Sequence, residues 1–368
     1  RTLAGDAGDT ETNKASVTVS DDDNSTATNV SAVASVNITD VAPSADVSKS
    51  ANVASLNEPG GSVTYTVTIN NTSPAEEITL TSLTDDVFTN LNGKGNCSTP
   101  QTIAVGGNYS CVFTLSISGD AGDTHNNKVT ANVQDNEGTS VPAVSPVASV
   151  SFSDVLPTTT ATYTAVPASL PEPGGSVDYT VVVNNTSTAE AVTLTSLSDN
   201  VFGDLNGTGN CATGGSIAIG GSYTCTFSKT ATGNAGNIQS NTLTAKAQDN
   251  EGNLVSKNAT DTVAITDVTP TITVTMSTDV TQLDEPGGDV LYTILVNNTS
   301  PEAVTLGAIS DINGSLDGVD SCAIGGSIAA SGSYNCSFTR SLTGDVGYSE
   351  TNKASVTVSD DEGNPVSK

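Results

Sequence analysis

This 368-residue chain has no tryptophan, and aromatic residues of all kinds make up 4% of it. Any core must therefore be built mostly from Val, Ile, Leu and Ala. Positive charge is equally scarce: 11 Lys and Arg against 40 Asp and Glu give a formal net charge of -29. Nucleic acid and anionic membrane surfaces both require basic patches. No basic cluster occurs here, which argues against either as a partner. The chain has one histidine, His125, and no Cys-x-x-Cys pair, so a thiolate or imidazole metal site is disfavoured. No signal peptide or transmembrane run is visible, and no membrane insertion is expected in this segment. No stretch sustains a helical period, no Gly-rich loop opens a helix, and no nucleophile–base pair recurs. An enzyme is not expected.

What is present is repetition. Glu58-Pro59-Gly60-Gly61 returns as Glu172-Pro173-Gly174-Gly175 and as Glu285-Pro286-Gly287-Gly288. The junction Asp40-Val41-x-Pro43 returns as Asp154-Val155-x-Pro157 and Asp267-Val268-x-Pro270. Self-similarity at one fixed period marks an array of like modules. Residues 11–22 also reappear word for word at 350–361, so the chain is expected to be a window on a longer array. The junction prolines divide it into residues 1–42, read as the last strands of a preceding module, complete modules 43–156 and 157–269, and a module 270–368 lacking its last strand. The N-terminal segment around Val36 and Ile38 could complete the open sheet of a neighbouring copy by strand addition; truncation is the plainer reading.

Cysteines come two per module, at one spacing: Cys97/Cys111, Cys211/Cys225 and Cys322/Cys336. This reads as three local disulfides in an oxidising compartment. Closing such a 15-residue loop is worth about 3 kcal/mol in the chain-entropy model.

After each EPGG turn the sequence alternates strictly. Val63, Tyr65, Val67 and Ile69 share one face, with threonines opposite; Val177, Tyr179, Val181, Val183 and Val290, Tyr292, Ile294, Val296 repeat the pattern. Period two with β-branched residues denotes a half-buried strand. Asn70-Asn71-Thr72-Ser73 then turns the chain. Further strands are expected at 78–83, 103–105, 109–117, 129–133 and 147–152, with an opening strand near 45–56. About seven short strands per module suggest an immunoglobulin-like sandwich, so the fold class is all-β, with tandem sandwiches and one disulfide each.

The EPGGSVTYTVTINNTS strand and turn, the cysteine followed by IAVGGNYSC, and the late TNKASVTV resemble bacterial immunoglobulin-like conserved-repeat domains. Gly106-Gly107 stands where that group often has Pro-Gly, a neutral change at a turn. The resemblance covers the whole chain and implies an extracellular stalk, fibre or adhesin on a bacterial surface.

Acidic residues recur at the EPGG turn, at the Asp-Val-x-Pro junction and in the loop before the last strand. In this topology Glu58, Asp154, Asp249 and Glu251 could converge on one junction, and Glu172, Asp267, Asp360 and Glu362 on the next. Converging carboxylates repel unless a hard cation such as Ca²⁺ joins them; solvated turn residues are the bland alternative. Asp311–Asp317 resembles a calcium loop with its glycine misplaced, and reads as plain loop. Asn71, Asn185 and Asn298 begin Asn-x-Ser/Thr triplets but read as turn residues, not glycan acceptors. Lys14, Lys128 and Lys353 stand beside asparagines, which invites an isopeptide crosslink. Thr242 fills the matching place in the second module and argues against a shared one.

The leading expectation is a structural array that associates with itself head-to-tail or laterally, advancing ~30–40 Å per module. Outward-facing Val182, Leu291 and Leu295 are the candidate contacts. The alternative is a multivalent adhesin binding glycan or host protein, for which exposed aromatics are few.

Overall fold

A computed structural model describes all residues, 1–368. The chain is all-β, with no helix and thus none long and apolar enough to cross a membrane. It divides into two compact units, Arg1–Leu156 and Pro157–Lys368. The first contains one hydrophobic core and the second contains two, so the sandwiches are modules in tandem.

Residues 1–42 form two hairpin-like pairs, Thr10–Asn13 against Ala34–Asn37 and Ser16–Ser20 against Thr26–Val30. Within these pairs Val17, Val19, Val30 and Val36 are exposed.

Each module places the strand after its EPGG turn at the centre of a three-stranded sheet. In the first, Gly60–Asn71 lies between Ala45–Ala51 and Asn108–Ser118, antiparallel to both. The facing sheet runs Gln101–Ile103, Ile78–Asp85, Val129–Gln134, Ser140–Val144. The period-two pattern is realised in full, since Val63, Tyr65, Val67 and Ile69 are all 0% exposed. Burying each such side chain contributes about 1.5–3 kcal/mol. The second and third modules keep the same register: Cys111 opposes Val67, Cys225 opposes Val181 and Cys336 opposes Ile294. Two residues on, Phe113, Phe227 and Phe338 oppose and stack on Tyr65, Tyr179 and Tyr292 with centroids 5.3–5.5 Å apart. With tryptophan absent, this pair is the aromatic centre of every core. The disulfides Cys97–Cys111, Cys211–Cys225 and Cys322–Cys336 all have Cα atoms 4.9 Å apart and lie against it.

The first EPGG glycine is obligatory on two counts. Gly60 has φ +115°, and a Cβ there would meet the Ile117 carbonyl oxygen at 2.1 Å. Gly174 and Gly287 repeat both features. Only a residue without a side chain admits so close an approach at that φ.

The second Asn of each Asn-Asn-Thr-Ser turn is buried. The Asn71 amide donates to the carbonyls of Glu76 and Ile103 at 2.9 and 3.0 Å, and its Oδ1 accepts from Ser73 N–H at 2.8 Å. Asn185 and Asn298 make the same bonds. A side chain so enclosed is a turn lock.

The modules differ at one edge. In the first, Ala148–Ser153 pairs with Thr124–Asn127 and, in parallel, with Ser55–Asn57. In the second, the long strand Leu254–Thr266 does the same work against Ile238–Gln248 and Ser169–Pro171. In the third the sheet ends at Pro365–Ser367, and the counterpart of Ser169–Pro171 is not a strand. Leu283 is 40% exposed. On the central strands Leu291 is exposed, whereas Val182 and Leu295 are half-buried.

Candidate functional site

The EPGG glutamates do something local before anything else. Glu58 is buried, and its Oε2 accepts from Ala121 N–H at 2.8 Å while Oε1 accepts from Val155 N–H at 2.9 Å. Glu172 does the same with Ala235 and Val268. Each carboxylate thus ties its turn to the start of the junction that leaves its own module. Glu285 is exposed.

The aspartates of the loop before the last strand fold that loop. Asp135 Oδ1 accepts from Thr139 N–H at 2.7 Å and Asp360 Oδ1 from Asn364 N–H at 2.6 Å. Asp249 uses both oxygens, with Asn253 N–H at 2.6 Å and the Asn253 amide at 3.0 Å. Asp135 and Asp360 differ from it in one respect. Each is more than nine-tenths buried, yet its Oδ2 has no hydrogen-bond partner. A buried carboxylate oxygen left in this way is costly, on the order of several kcal/mol without a compensating donor or cation.

Both aspartates belong to acidic clusters. In the first unit Asp40, Glu76, Asp135 and Glu137 bring one carboxylate oxygen each within 4.8 Å of all the others. In the second unit Asp267, Asp360 and Glu362 do likewise, and Glu362 is shared with a further group of Glu172, Glu302 and Asp361. The ion pairs of the chain, Arg1–Glu11, Lys49–Asp85 and Arg340–Asp311, lie elsewhere. Desolvation, then the nearby Glu172 and Asp361, pushes Glu302 up to about 7. Glu362 is also pushed up to about 7, chiefly by its hydrogen bond with Asp361 and then by desolvation. Asp267 and Glu76 are raised too, first by desolvation and then by neighbouring acids. Oxygen-only, net-negative donor sets on turns suit a hard cation, and Ca²⁺ accepts about 6–8 oxygens in flexible geometry.

Of the residues picked out in the sequence, Asp267, Asp360 and Glu362 come together, and Glu172 meets Glu362 through the adjoining group. Glu58 and Asp154 belong to the first unit and Asp249 and Glu251 to the second. Sequence reasoning omits Glu76 and Glu302. Their signal is a glutamate shortly after each Asn-Thr-Ser turn, whose carbonyl the buried asparagine holds.

A second constellation lies inside each core. Lys49 and Asp85 have side chains 0% exposed, with Nζ 2.5 Å from Asp85 Oδ2. Nζ also donates to Asn127 Oδ1, and it sits 4.5 Å from the Tyr65 ring centroid. Asn127 is 0% exposed, and its Nδ2 has no partner. Asp85 Oδ1 is occupied by the N–H groups of Val87 and Phe88, both at 2.9 Å. Burial pulls the Lys49 ammonium below its usual pKa, although Asp85 and Asp86 oppose this. In the second module Tyr163 replaces the lysine, donating to Asp199 Oδ2 at 3.0 Å, and Asn241 donates to Asp199 Oδ1 at 2.9 Å. In the third, Met276 stands at that strand position. Arg340 reaches Asp311 from the cysteine strand instead, at 3.0 Å. The lysines singled out in the sequence, Lys14, Lys128 and Lys353, are all exposed. The Asp311 loop is engaged by Arg340 and Asn352, so it is not arranged around an ion.

No family model matches the chain, and no curated protein matches it in sequence. Among solved structures it is similar to a Ca²⁺-stabilised adhesin by which an Antarctic bacterium binds ice, at 16% identity, covering 97% of this chain and 80% of that one, TM-score 0.25. It is similar to a tetra-tandem repeat from the extending region of a large adhesion protein, at 17% identity, covering 97% and 80%, TM-score 0.23. A bacterial ice-binding adhesin of 1.5 MDa is similar at 17% identity over 89% of this chain and 96% of that one, TM-score 0.24. At such TM-scores the likeness carries no argument about this chain.

Proposed function

We propose that this chain is a run of spacer modules from an extracellular bacterial surface protein, a stalk or fibre segment whose module junctions take up calcium. Disulfides in every module suit an oxidising, extracellular setting. The observation that carries the calcium reading is the pair of buried aspartate oxygens, Asp135 Oδ2 and Asp360 Oδ2, each without a donor and each on an aspartate of a carboxylate cluster. In the first cluster Asp40 comes from the segment before the module and the other three acids from the module itself. In the second unit Glu172 and Asp267 belong to one module and Glu302, Asp360, Asp361 and Glu362 to the next. An ion bound there would join carboxylates that otherwise repel across the junction, and would make the linkage stiffer.

The test is calorimetric titration of chelator-stripped chain with Ca²⁺. Saturable binding is expected at roughly 10⁻⁴–10⁻³ M or tighter, the range of extracellular calcium modules. The Asp135→Asn, Asp360→Asn double variant is expected to lose most of it. No heat of binding at millimolar Ca²⁺ would overturn the reading.

A further inference from the structure

We propose that Lys49 and Asn127 of the first module join in an intramolecular isopeptide bond, with Asp85 as the proton carrier. The three side chains lie on three different strands: Lys49 on Ala45–Ala51, Asp85 at the end of Ile78–Asp85, and Asn127 at the end of Thr124–Asn127. All three are buried. Nζ touches both a carboxylate oxygen and the carboxamide oxygen, which places it next to Asn127 Cγ, the electrophilic carbon. The Asn127 Nδ2 has no hydrogen-bond partner to retain it, so the leaving group is held by nothing but its own bond. The rings of Tyr65 and Phe113 close over the amine, 4.5 and 5.5 Å from Nζ to their centroids.

An amine in such a dry, aromatic setting loses the solvation that keeps it protonated and gains nucleophilicity. The burial-lowered pKa of Lys49 agrees with this. Asp85 first accepts a proton from the Lys49 ammonium. The neutral nitrogen adds to Asn127 Cγ, forming the new N–C bond, and Asp85 supplies a proton to the carboxamide as negative charge develops. The nitrogen then gives up a second proton, the departing Nδ2 gains one, the Cγ–Nδ2 bond breaks and ammonia leaves. The lysine nitrogen has shed two protons in all: one departs with the ammonia and the other stays on Asp85 until solvent or the ammonia takes it. No oxidant, reductant or cofactor is needed, and general acid–base assistance by one positioned carboxyl is ordinary enzyme chemistry.

The other modules lack the nucleophile. A phenol, Tyr163, occupies the site in the second; in the third Met276 is inert and the Arg340 guanidinium stays protonated. The crosslink is therefore expected once per chain. It would connect residues 78 positions apart and bind the first strand of the sandwich to a late one.

Intact mass spectrometry of the whole chain tests the bond. The expected mass is that of the sequence with three disulfides less one ammonia, and a denatured tryptic digest is expected to give a branched peptide containing both Lys49 and Asn127. Asp85→Asn is expected to restore the uncrosslinked mass. Lys49→Met with Leu115→Arg, which copies the third module's solution, supplies a variant expected to fold without the bond and to show the full mass. A wild-type chain at the full mass, cleaved by trypsin after Lys49, would overturn the proposal. A mass still short by one ammonia in the Lys49→Met, Leu115→Arg variant would overturn the assignment of Lys49, and in Asp85→Asn the role of Asp85.

Discussion

The first and third modules carry the same alternating strand, the same disulfide and the same Tyr–Phe stack, yet they solve two problems differently. The first sets a fully enclosed lysine from its opening strand against its buried aspartate, Asp85. The third neutralises Asp311 with an arginine from the opposite edge strand of that sheet, 31% exposed. At the edge, the first has Ala148–Ser153 in place and Glu58 fastened to Val155, whereas Glu285 of the third faces solvent. The shared elements are those that define the core. The divergent ones are a charged pair that several partners can satisfy, and an edge whose contacts depend on which strand lies beside it. Identical motifs thus acquire different energetic weight from their surroundings.

The largest effect that would break this comparison comes from the buried pair. Lys49→Met alone leaves Asp85 uncompensated and is expected to cost about 3–5 kcal/mol. Adding Leu115→Arg, at the position matching Arg340, is expected to recover much of that loss. Hydrogen exchange along Gly60–Asn71 measures it, and a single variant as protected as wild type would contradict the assignment. Next in size is the edge. Glu58→Gln weakens two charge-assisted bonds to backbone N–H groups, each worth about 1.5–3 kcal/mol. Glu285→Gln is expected to fall within about 0.5 kcal/mol of wild type, as for an ordinary surface change. Equal shifts in urea midpoint for the two would erase the contrast.

The smallest effect sharpens the comparison through pH. Glu302 and Glu362 have folded pKa values raised from 4.5 to about 7, so the folded state holds protons that the unfolded chain releases. Stability of the metal-free chain is therefore expected to be highest below about pH 4.5 as far as these groups are concerned, and to fall as pH rises towards 7. Calcium should remove that decline, and protons should compete with calcium below about pH 7. Thermal unfolding of the chelated chain across this window, with and without Ca²⁺, reads both.

Much of the fold is legible in the sequence because its signals are local. Period-two runs locate the central strands, and an invariant cysteine spacing locates each disulfide. The buried triad is harder to see. Lys49 lies in the run Ala45, Val47, Lys49, Ala51, whose alternation puts it on the inward face, but a lysine flanked by Ser48 and Ser50 reads as solvated. Its partners Asp85 and Asn127 are 36 and 78 residues away, a proximity that only strand pairing creates. The acidic loops are visible as recurrences, yet Glu58 and Glu172 turn out to hold backbone N–H groups, and Glu76 and Glu302 enter the clusters through a turn geometry set by a buried asparagine.

Calcium-dependent hydrogen exchange probes the junction claim most directly, because the chain contains its own control. Asp21–Asp23 occupy the same loop position as Asp135 and Asp360 but are exposed and take part in no acidic cluster. Adding Ca²⁺ to chelated chain is predicted to slow exchange at residues 135–139 and 360–364 while leaving 21–25 unchanged. Uniform slowing of all three loops, or of none, would contradict the account.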